Sequence, residues 1–368
     1  MKIVYTIAGL YRPAGMERVL TEKASRLAAA GHDVTIVTTE QKGRPAAFPL
    51  PENVRTVDLE IGYESDNGRL LSKLIHHPWR VLLHRIRLSK FLKDLRPDVT
   101  ISLFCHDERF LPSIKDGSKK VLEVHFSAFK RIQYGRKGLW GFLDRMRAGN
   151  DLKVVRRFER FVVLTNEDKE YWGSPENAVV IPNPVPFRTG TPAALTAKRV
   201  AAVGRLAWQK GFDRLIEAWR KVSPQAPGWE LSIFGDGELR DGLEKQAEGL
   251  PVTFHGNVAD PEEIYRNSSI IALTSHYEGL PMVLLEAEAY GIPAVSFDCK
   301  CGPSDIIRNG ENGILVKEGD VEGFAEALLS LIGNKTKRLE MGASAYADSE
   351  KWSADKIMEQ WTQLLENL

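Results

Sequence analysis

Three carboxylates crowd one apolar run. In HYEGLPMVLLEAEAYGIPAVSFD, from His276 to Asp298, Glu278, Glu286 and Glu288 fall within eleven residues. Charge in such surroundings is costly unless something pairs with it. The stretch reads as loop, helix, turn and strand. Pro281 suits a first helical position, where its missing N–H would go unpaired anyway. Gly291 ends the helix just past Tyr290, and Pro293 follows it. Glu278 then lies in the loop ahead of the helix, and Glu286 about one and a half turns into it. The free N–H groups of Met282, Val283 and Leu284 would open a helix start that favours an anion such as phosphate. A plain buried helix with one or two surface glutamates is the competing reading.

The elements that position this stretch follow from alternation. In the first half, apolar β-branched runs predict strands at Lys2–Ala8, Asp33–Thr38, Val54–Leu59, Val99–Phe104, Lys120–Val124 and Phe161–Leu164. A helix over Glu17–Ala30 separates the first two, with Gly31 past its end. The pattern restarts after a proline-rich linker, Val180–Leu195, which has no helical period. Strands then fall near Arg199–Val203, Leu231–Phe234, Val252–Phe254, Ile270–Leu273, Ala294–Phe297 and Ile314–Val316. Helices fit Gly211–Val222, Glu238–Gln246, Pro261–Arg266, Pro281–Tyr290 and Val321–Leu331. The reading is α/β: two Rossmann-like, doubly wound domains in series, residues 1–185 and 186–351, facing across a central cleft. A last amphipathic helix, 352–368, is expected to join the first domain. In such sheets ligands sit at the carboxyl ends of the strands.

Composition bounds the chemistry. The chain has 368 residues, 43% hydrophobic and 27% charged, which suits a globular protein of two domains. Cys105, Cys299 and Cys301 are too few for a disulfide framework, and Cys299-x-Cys301 lacks the further ligands of a zinc site. A reducing, cytoplasmic setting is expected. The apolar start MKIVYTIAGL reads as a strand rather than a signal peptide, and no apolar run reaches the ~20 residues of a membrane span. The net charge of +1 hides a split. Residues 1–187 carry 31 Lys and Arg against 22 Asp and Glu, and residues 188–368 carry 19 against 27. The basic half is the one suited to an anionic partner.

Spacing then narrows the choice. Glu278 and Glu286 are separated by seven residues, and Gly279-Leu280-Pro281 follows the first of them. This resembles the E-x7-E signature of retaining glycosyltransferases with the GT-B fold, in particular glycosyltransferase family 4. AVGRLAWQKGFDRLIEAW (Ala202–Trp219) is similar to the family's G-R-x-x-x-x-K-G segment. FGDGEL (Phe234–Leu239), FHGNV (Phe254–Val258) and NGENGILV (Asn309–Val316) follow in the family's order. PAGMERV (Pro13–Val19) resembles its glycine-rich loop after the first strand, and EVHFS (Glu123–Ser127) its histidine segment. As a dinucleotide fingerprint FGDGEL fails, because Arg240 stands where the third glycine belongs.

The resemblance implies roles. Arg205 and Lys210 would neutralise a diphosphate leaving group as its charge grows. Glu286 would accept from both ribose hydroxyls, since a carboxylate offers two acceptor oxygens to a vicinal diol. Glu278 would contact the donor sugar. Backbone at Gly279, Leu280, Pro281, Met282 and Val283 would hold sugar or phosphate. Gly235, Asp236 and Gly237 would form a tight turn near the nucleotide, and Val258 would sit at the base. Gly15 would let backbone approach the diphosphate; its neighbour is Met16 where the family usually has a second glycine. His125 would hydrogen-bond the donor sugar near the reacting bond; a histidine packed in a loop is the alternative. His106 and Asp107 are candidates for an acceptor pocket. Glu288, where the family usually carries an apolar residue, is expected to face water, with a contact special to this protein as the alternative. No D-x-D triplet occurs, so no metal is expected to be required.

The segment Arg69–Arg96 carries eight Lys and Arg and one acid, Asp94. Pro78 is expected to start a helix whose stripe is Trp79, Leu82, Leu83, Ile86, Phe91 and Leu95. Such a helix lies on an anionic membrane surface or packs on a core with a solvated basic face. Lys130–Arg160 adds a second basic region. Nucleic acid lacks supporting signatures. The whole reads as a retaining transferase moving sugar from a nucleotide sugar, a UDP-sugar by expectation, to a saccharide or lipid-linked acceptor in cell-surface polysaccharide or lipopolysaccharide synthesis. It would work in the cytoplasm or at the inner face of the plasma membrane, with no cofactor besides the donor. A UDP-sugar 2-epimerase of the same architecture and a non-catalytic nucleotide-sugar or glycan-binding protein are the rivals.

Overall fold

β-Branched runs form the strands of two separate, wholly parallel sheets. A computed structural model of the chain describes residues 1–66, 70–128, 138–185, 190–258 and 260–368. Arg69 of the first basic segment, residues 130–137 of the second, and Pro186 with the rest of 186–189 in the linker lie outside the described residues. The chain divides into two units, Met1–Ile181 with Met358–Leu368, and Pro182–Ile357.

The first unit runs β1 (Lys2–Ile7), α1 (Gly15–Ala29), β2 (Asp33–Thr38), β3 (Val54–Asp58), α2 (Leu70–Leu95), β4 (Val99–Ser102), β5 (Lys119–Glu123), α3 (Gly138–Val155), β6 (Arg160–Val163), α4 (Asn166–Tyr171) and β7 (Ala178–Val180). Its strand order is β3-β2-β1-β4-β5-β6-β7. Residues 3–7, 34–38 and 99–102 are buried throughout, as strands covered on both faces must be. The order reverses between β1 and β4, so the loops after these two strands open the crevice of this sheet.

The second unit runs β8 (Arg199–Val203), α5 (Phe212–Val222), β9 (Glu230–Phe234), α6 (Arg240–Gln246), β10 (Val252–Gly256), α7 (Pro261–Arg266), β11 (Ile270–Leu273), α8 (Met282–Ala289), β12 (Ala294–Asp298), α9 (Pro303–Ile306), β13 (Gly313–Lys317), α10 (Val321–Ile332) and α11 (Lys335–Asp348). α12 (Ala354–Glu366) then leads back to the first unit. The order is β10-β9-β8-β11-β12-β13, and the reversal lies between β8 and β11. Trp219, Phe297 and Phe324 fill the core beneath.

Several expectations shift. Pro78 lies inside α2 and does not start it. A proline removes one helical hydrogen bond, and here the helix runs on through it. The predicted stripe splits: Leu83, Phe91 and Leu95 pack on the core beside buried Leu88 and Leu92, while Trp79, Leu82 and Ile86 are exposed. Pro281 caps α8 in extended conformation instead of occupying its first turn. α1 starts two residues earlier than expected, at Gly15.

Glycines set the spacing of the loops above the second sheet. Gly211 has φ +60°, and a Cβ there would stand 2.2 Å from the Thr274 carbonyl oxygen. Gly235 has φ +122°, and a Cβ would stand 2.1 Å from the Gly204 carbonyl oxygen. Neither backbone can yield without parting the loops. Gly235→Ala is therefore expected to cost about 2–4 kcal/mol, from strain plus a contact that must open. A urea-unfolding midpoint within error of the native one would show that the loops are not packed this way.

Candidate functional site

In the second unit, the loops after β8 and β11 meet. The Lys210 stem lies over Gly204, whose missing Cβ would be 3.4 Å from the lysine's methylenes. Its Nζ donates to Glu278 Oε1 at 2.7 Å, and Ser275 Oγ donates to the same oxygen at 2.5 Å. The Glu278 N–H donates to the Lys300 carbonyl at 3.0 Å, which fastens this loop to the segment after β12. A Cβ on Gly302 would fall 2.5 Å from Pro281 Cδ, so Cys299–Gly302 forms a wall against Gly279–Pro281. Burial pushes the Cys299 thiol well up, and Glu278 adds to it; all three cysteines are buried and free.

α8 begins beside this cluster. Its N-cap, Pro281, supplies no side-chain hydrogen bond. The Leu284 N–H already donates to the Pro281 carbonyl at 2.9 Å, so of the three donors expected only Met282 and Val283 remain for an anion. Arg205 is exposed at the carboxyl end of β8. Glu286 is buried on the next turn of α8, and Tyr265 Oη donates to its Oε2. Tyr265 stacks on Tyr290 with ring centroids 5.5 Å apart. The arrangement brings Lys210, Glu278 and two backbone donors to one helix start, with Glu286 on the next turn and Arg205 exposed at the end of β8. It can hold an anion and, beside it, a hydroxyl-rich group.

Gly235, Asp236 and Gly237 follow β9 and pack on the loop after β8. The Leu206 N–H donates to the Asp236 carbonyl at 2.9 Å, and a Cβ on Gly237 would come 2.5 Å from the Leu206 carbonyl oxygen. They buttress the Arg205 loop. Val258 is exposed after β10.

In the first unit, His125 follows β5, and its Nε2 lies 2.9 Å from Glu123 Oε1. Lys23 on α1 donates to the same Glu123 oxygen. Gly15 and Met16 form the open start of α1; a Cβ on Gly15 would meet no atom within 4 Å. Burial raises the Glu17 carboxyl, against the lowering pull of its own backbone hydrogen bond, Arg12 and His125. His106 has φ +75° and stacks on Tyr63 at 4.3 Å. Asp107 is a correction: it is fully buried, and its two oxygens accept from Thr6 Oγ1 at 2.5 Å and Ser102 Oγ at 2.6 Å. It pins the turn after β4 and offers no oxygen to an acceptor.

Comparison with known proteins decides the family. Residues 187–348 match Glycosyl transferases group 1, and residues 13–188 match Glycosyltransferase Family 4. The amylovoran biosynthesis glycosyltransferase AmsD of Erwinia amylovora is 38% identical over 386 aligned residues, covering 99% of both chains. The chain belongs to glycosyltransferase family 4. This glycosyltransferase is also 31% identical to the lipopolysaccharide 1,6-galactosyltransferase of Salmonella typhimurium, over 69% of its own length and 71% of that protein. Its two sheets are those of the GT-B fold: the structure of Anabaena HepE in complex with UDP and glucose superposes with a TM-score of 0.75 at 17% identity, over all of both chains.

Some partners in this glycosyltransferase carried no signal in its sequence. Tyr265 is 21 residues from Glu286, and Lys23 is 100 residues from Glu123. Glu288 does not face water. It is buried, accepting from Asn312 Nδ2 at 2.8 Å and Trp352 Nε1 at 2.7 Å. Burial pushes its carboxyl up to about 8, against the lowering pull of Lys351 and the Trp352 bond. The folded enzyme thus holds a proton there that the unfolded chain releases near the ordinary glutamate value. The stability this gives is complete below the unfolded value and is lost as pH rises toward about 8. Glu288→Gln, which cannot titrate but lacks one acceptor, is expected to be the less stable protein at pH 5. Its deficit should shrink by about 2–4 kcal/mol by pH 8. Parallel stability–pH curves for the two proteins would contradict this.

Proposed function

We propose that this enzyme transfers a sugar from a UDP-sugar, with retention at the anomeric carbon, to a saccharide or lipid-linked acceptor in the assembly of a cell-surface polysaccharide or lipopolysaccharide. The observation that carries the reading is the convergence of Lys210, Glu278 and Ser275 beside the uncapped start of α8, with Arg205 exposed at the carboxyl end of β8. A diphosphate fits the cations and the Met282 and Val283 donors. The donor sugar fits Glu278, and the ribose diol fits Glu286. The relatives named for amylovoran and lipopolysaccharide synthesis, and the UDP bound in the Anabaena structure, agree with this.

Front-face attack is the mechanism the charges favour. The anomeric C–O bond to the diphosphate breaks as the acceptor oxygen bonds the same face, and the acceptor's proton passes to the departing diphosphate oxygen. Arg205, Lys210 and the α8 start stabilise that charge as it grows. The family resemblance gives His125 a hydrogen bond to the donor sugar. Because protein cations meet the leaving group, transfer is expected to persist in EDTA. Among the described residues, no three His, Cys, Asp or Glu side chains gather as metal ligands do.

Radiolabelled UDP-sugars with and without a crude lipid-linked acceptor fraction test the reading. Product that forms only with acceptor, carrying the donor's anomeric configuration by NMR coupling, is expected. Donor interconverted without acceptor would replace transfer by epimerisation.

The acceptor's carrier suggests a membrane surface at the cytoplasmic face. On α2, Trp79 is 70% exposed and shares a face with exposed Leu82 and Ile86, with Arg85, Lys90 and Lys93 beside them. On α3, exposed Phe142 and Met146 lie among Arg145 and Arg147. Apolar side chains flanked by cations suit an anionic interface. Among the described residues no helix is long and apolar enough to cross a membrane.

A further inference from the structure

A lysine and a glutamate lie fully inside the first unit. Lys23 and Glu123 are each 1% exposed, and they hydrogen-bond across 100 residues of chain. Two ions taken out of water lose several kcal/mol of hydration each, and well-packed apolar residues of similar volume often serve stability as well or better. Stability alone is a weak reason for such a pair. Its surroundings supply another.

Glu123 is the last residue of β5 and His125 lies two residues past it, and the contact between their side chains puts both on one side. Glu123 Oε1 touches both Lys23 Nζ and His125 Nε2. The His125 side chain is more than nine-tenths buried, yet Nδ1 has no partner within the protein, and Nε2, though 2.9 Å from Glu123 Oε1, is not aligned as a hydrogen bond to it. A buried ring nitrogen left without a partner is a place for a ligand. On the other side, the Lys23 ammonium stands 4.2 Å from the ring centroid of Trp361 in α12 and 5.6 Å from that of Tyr5 in β1. The order is therefore Trp361, Lys23, Glu123, His125, and then an open nitrogen. Burial alone would raise the Glu123 carboxyl, but Lys23 and then His125 outweigh it and hold it at about 2. The glutamate stays ionised at every working pH.

We infer that Glu123 is a positioning residue for His125, and that Lys23, fixed between Glu123 and Trp361, keeps that carboxylate anchored beneath the imidazole. A carboxylate on Nε2 sets which ring nitrogen carries the proton and which way the ring faces, and so presents Nδ1 to the bound sugar. The inference rests on the reading of His125 as the sugar-side residue of the transfer site. Trp361 ties the last turns of the chain to the same ion pair.

Steady-state transfer separates the possibilities. His125→Ala is measured first and is expected to lose most of its kcat. Glu123→Gln keeps the shape and removes the charge. It is expected to lower kcat about 10- to 100-fold while the donor KM stays within about twofold, as for partners that orient a reacting group. Glu123→Asp restores part of the loss. Lys23→Met combined with Glu123→Leu removes both ions together, so it is expected to fold even where Glu123→Gln alone does not, and to show the same fall in kcat. Full kcat in that folded double variant, or in Glu123→Gln, with His125→Ala inactive, overturns the positioning role and leaves the transfer site standing. Full kcat in His125→Ala overturns the reading of His125 and this inference with it.

Discussion

Arg205→Ala and Lys210→Ala are each expected to lower kcat by about 10²- to 10³-fold, the scale of losing one preorganised group that meets developing charge. The two side chains reach the proposed leaving group in different ways. Lys210 is held: its stem lies over Gly204, and its ammonium rests on Glu278. The Arg205 side chain is exposed and makes no hydrogen bond or ion pair among the described residues. Removing Arg205 therefore leaves the fold intact, and its whole effect should appear in kcat with an unchanged melting temperature. Removing Lys210 also strands a buried carboxylate, which destabilises in its own right. Melting temperature must be read beside the rate, and Lys210→Ala with Glu278→Gln shows how much of the loss is structural. Both cations act on one charge, so the double variant should lose less than the product of the single losses. Lys210→Arg is not expected to rescue, because a planar fork does not fit where one ammonium points over a glycine. Wild-type turnover in both single variants, at saturating donor and acceptor, would remove the diphosphate from this end of β8.

The elements that carry the proposed site were legible in the sequence because they are short segments. Arg205, Lys210, Glu278 and Glu286 each belong to a loop or a helix start, where glycine and proline mark the boundaries and spacing fixes the turn. The parallel strands were legible for a similar reason: covered on both faces, they read as unbroken apolar runs. What stayed hidden was tertiary. Nothing near Glu288 in the chain announces Asn312 or Trp352, so a buried carboxylate passed for a solvated one. Asp107 looked available beside His106 until Thr6 and Ser102 were seen to occupy it. Gly235 and Gly237 of FGDGEL are also required by the Gly204–Leu206 backbone, a packing reason that spacing alone does not show. α11 escaped because KTKRLEMGASAYAD has little apolar period, and its start depends on Asn334 accepting from the Lys337 N–H. β7 has three residues and gains its place by pairing with β6.

Glu286→Ala is expected to weaken UDP binding about 10- to 100-fold, because hydrogen bonds to an ionised group contribute roughly 1.5–3 kcal/mol. The ribose is remote from the reacting bond, so the loss should appear mainly in the donor KM, as uniform binding energy does. Tyr265 gives the carboxylate a fixed direction, since its hydroxyl donates to Oε2 and its ring is stacked on Tyr290. Tyr265→Phe should then weaken binding less than Glu286→Ala, by letting the carboxylate turn without removing it. A 2′-deoxy nucleotide completes the cycle. The wild-type enzyme should prefer UDP to the deoxy nucleotide by about tenfold, and Glu286→Ala should bind both alike. Calorimetry on the two proteins and two ligands gives the coupling directly. A Glu286→Ala protein that still favours the 2′-hydroxyl would place the ribose elsewhere, whereas loss of that preference assigns the diol to this carboxylate. The diphosphate is then bounded on one side by Glu286 and on the other by Lys210.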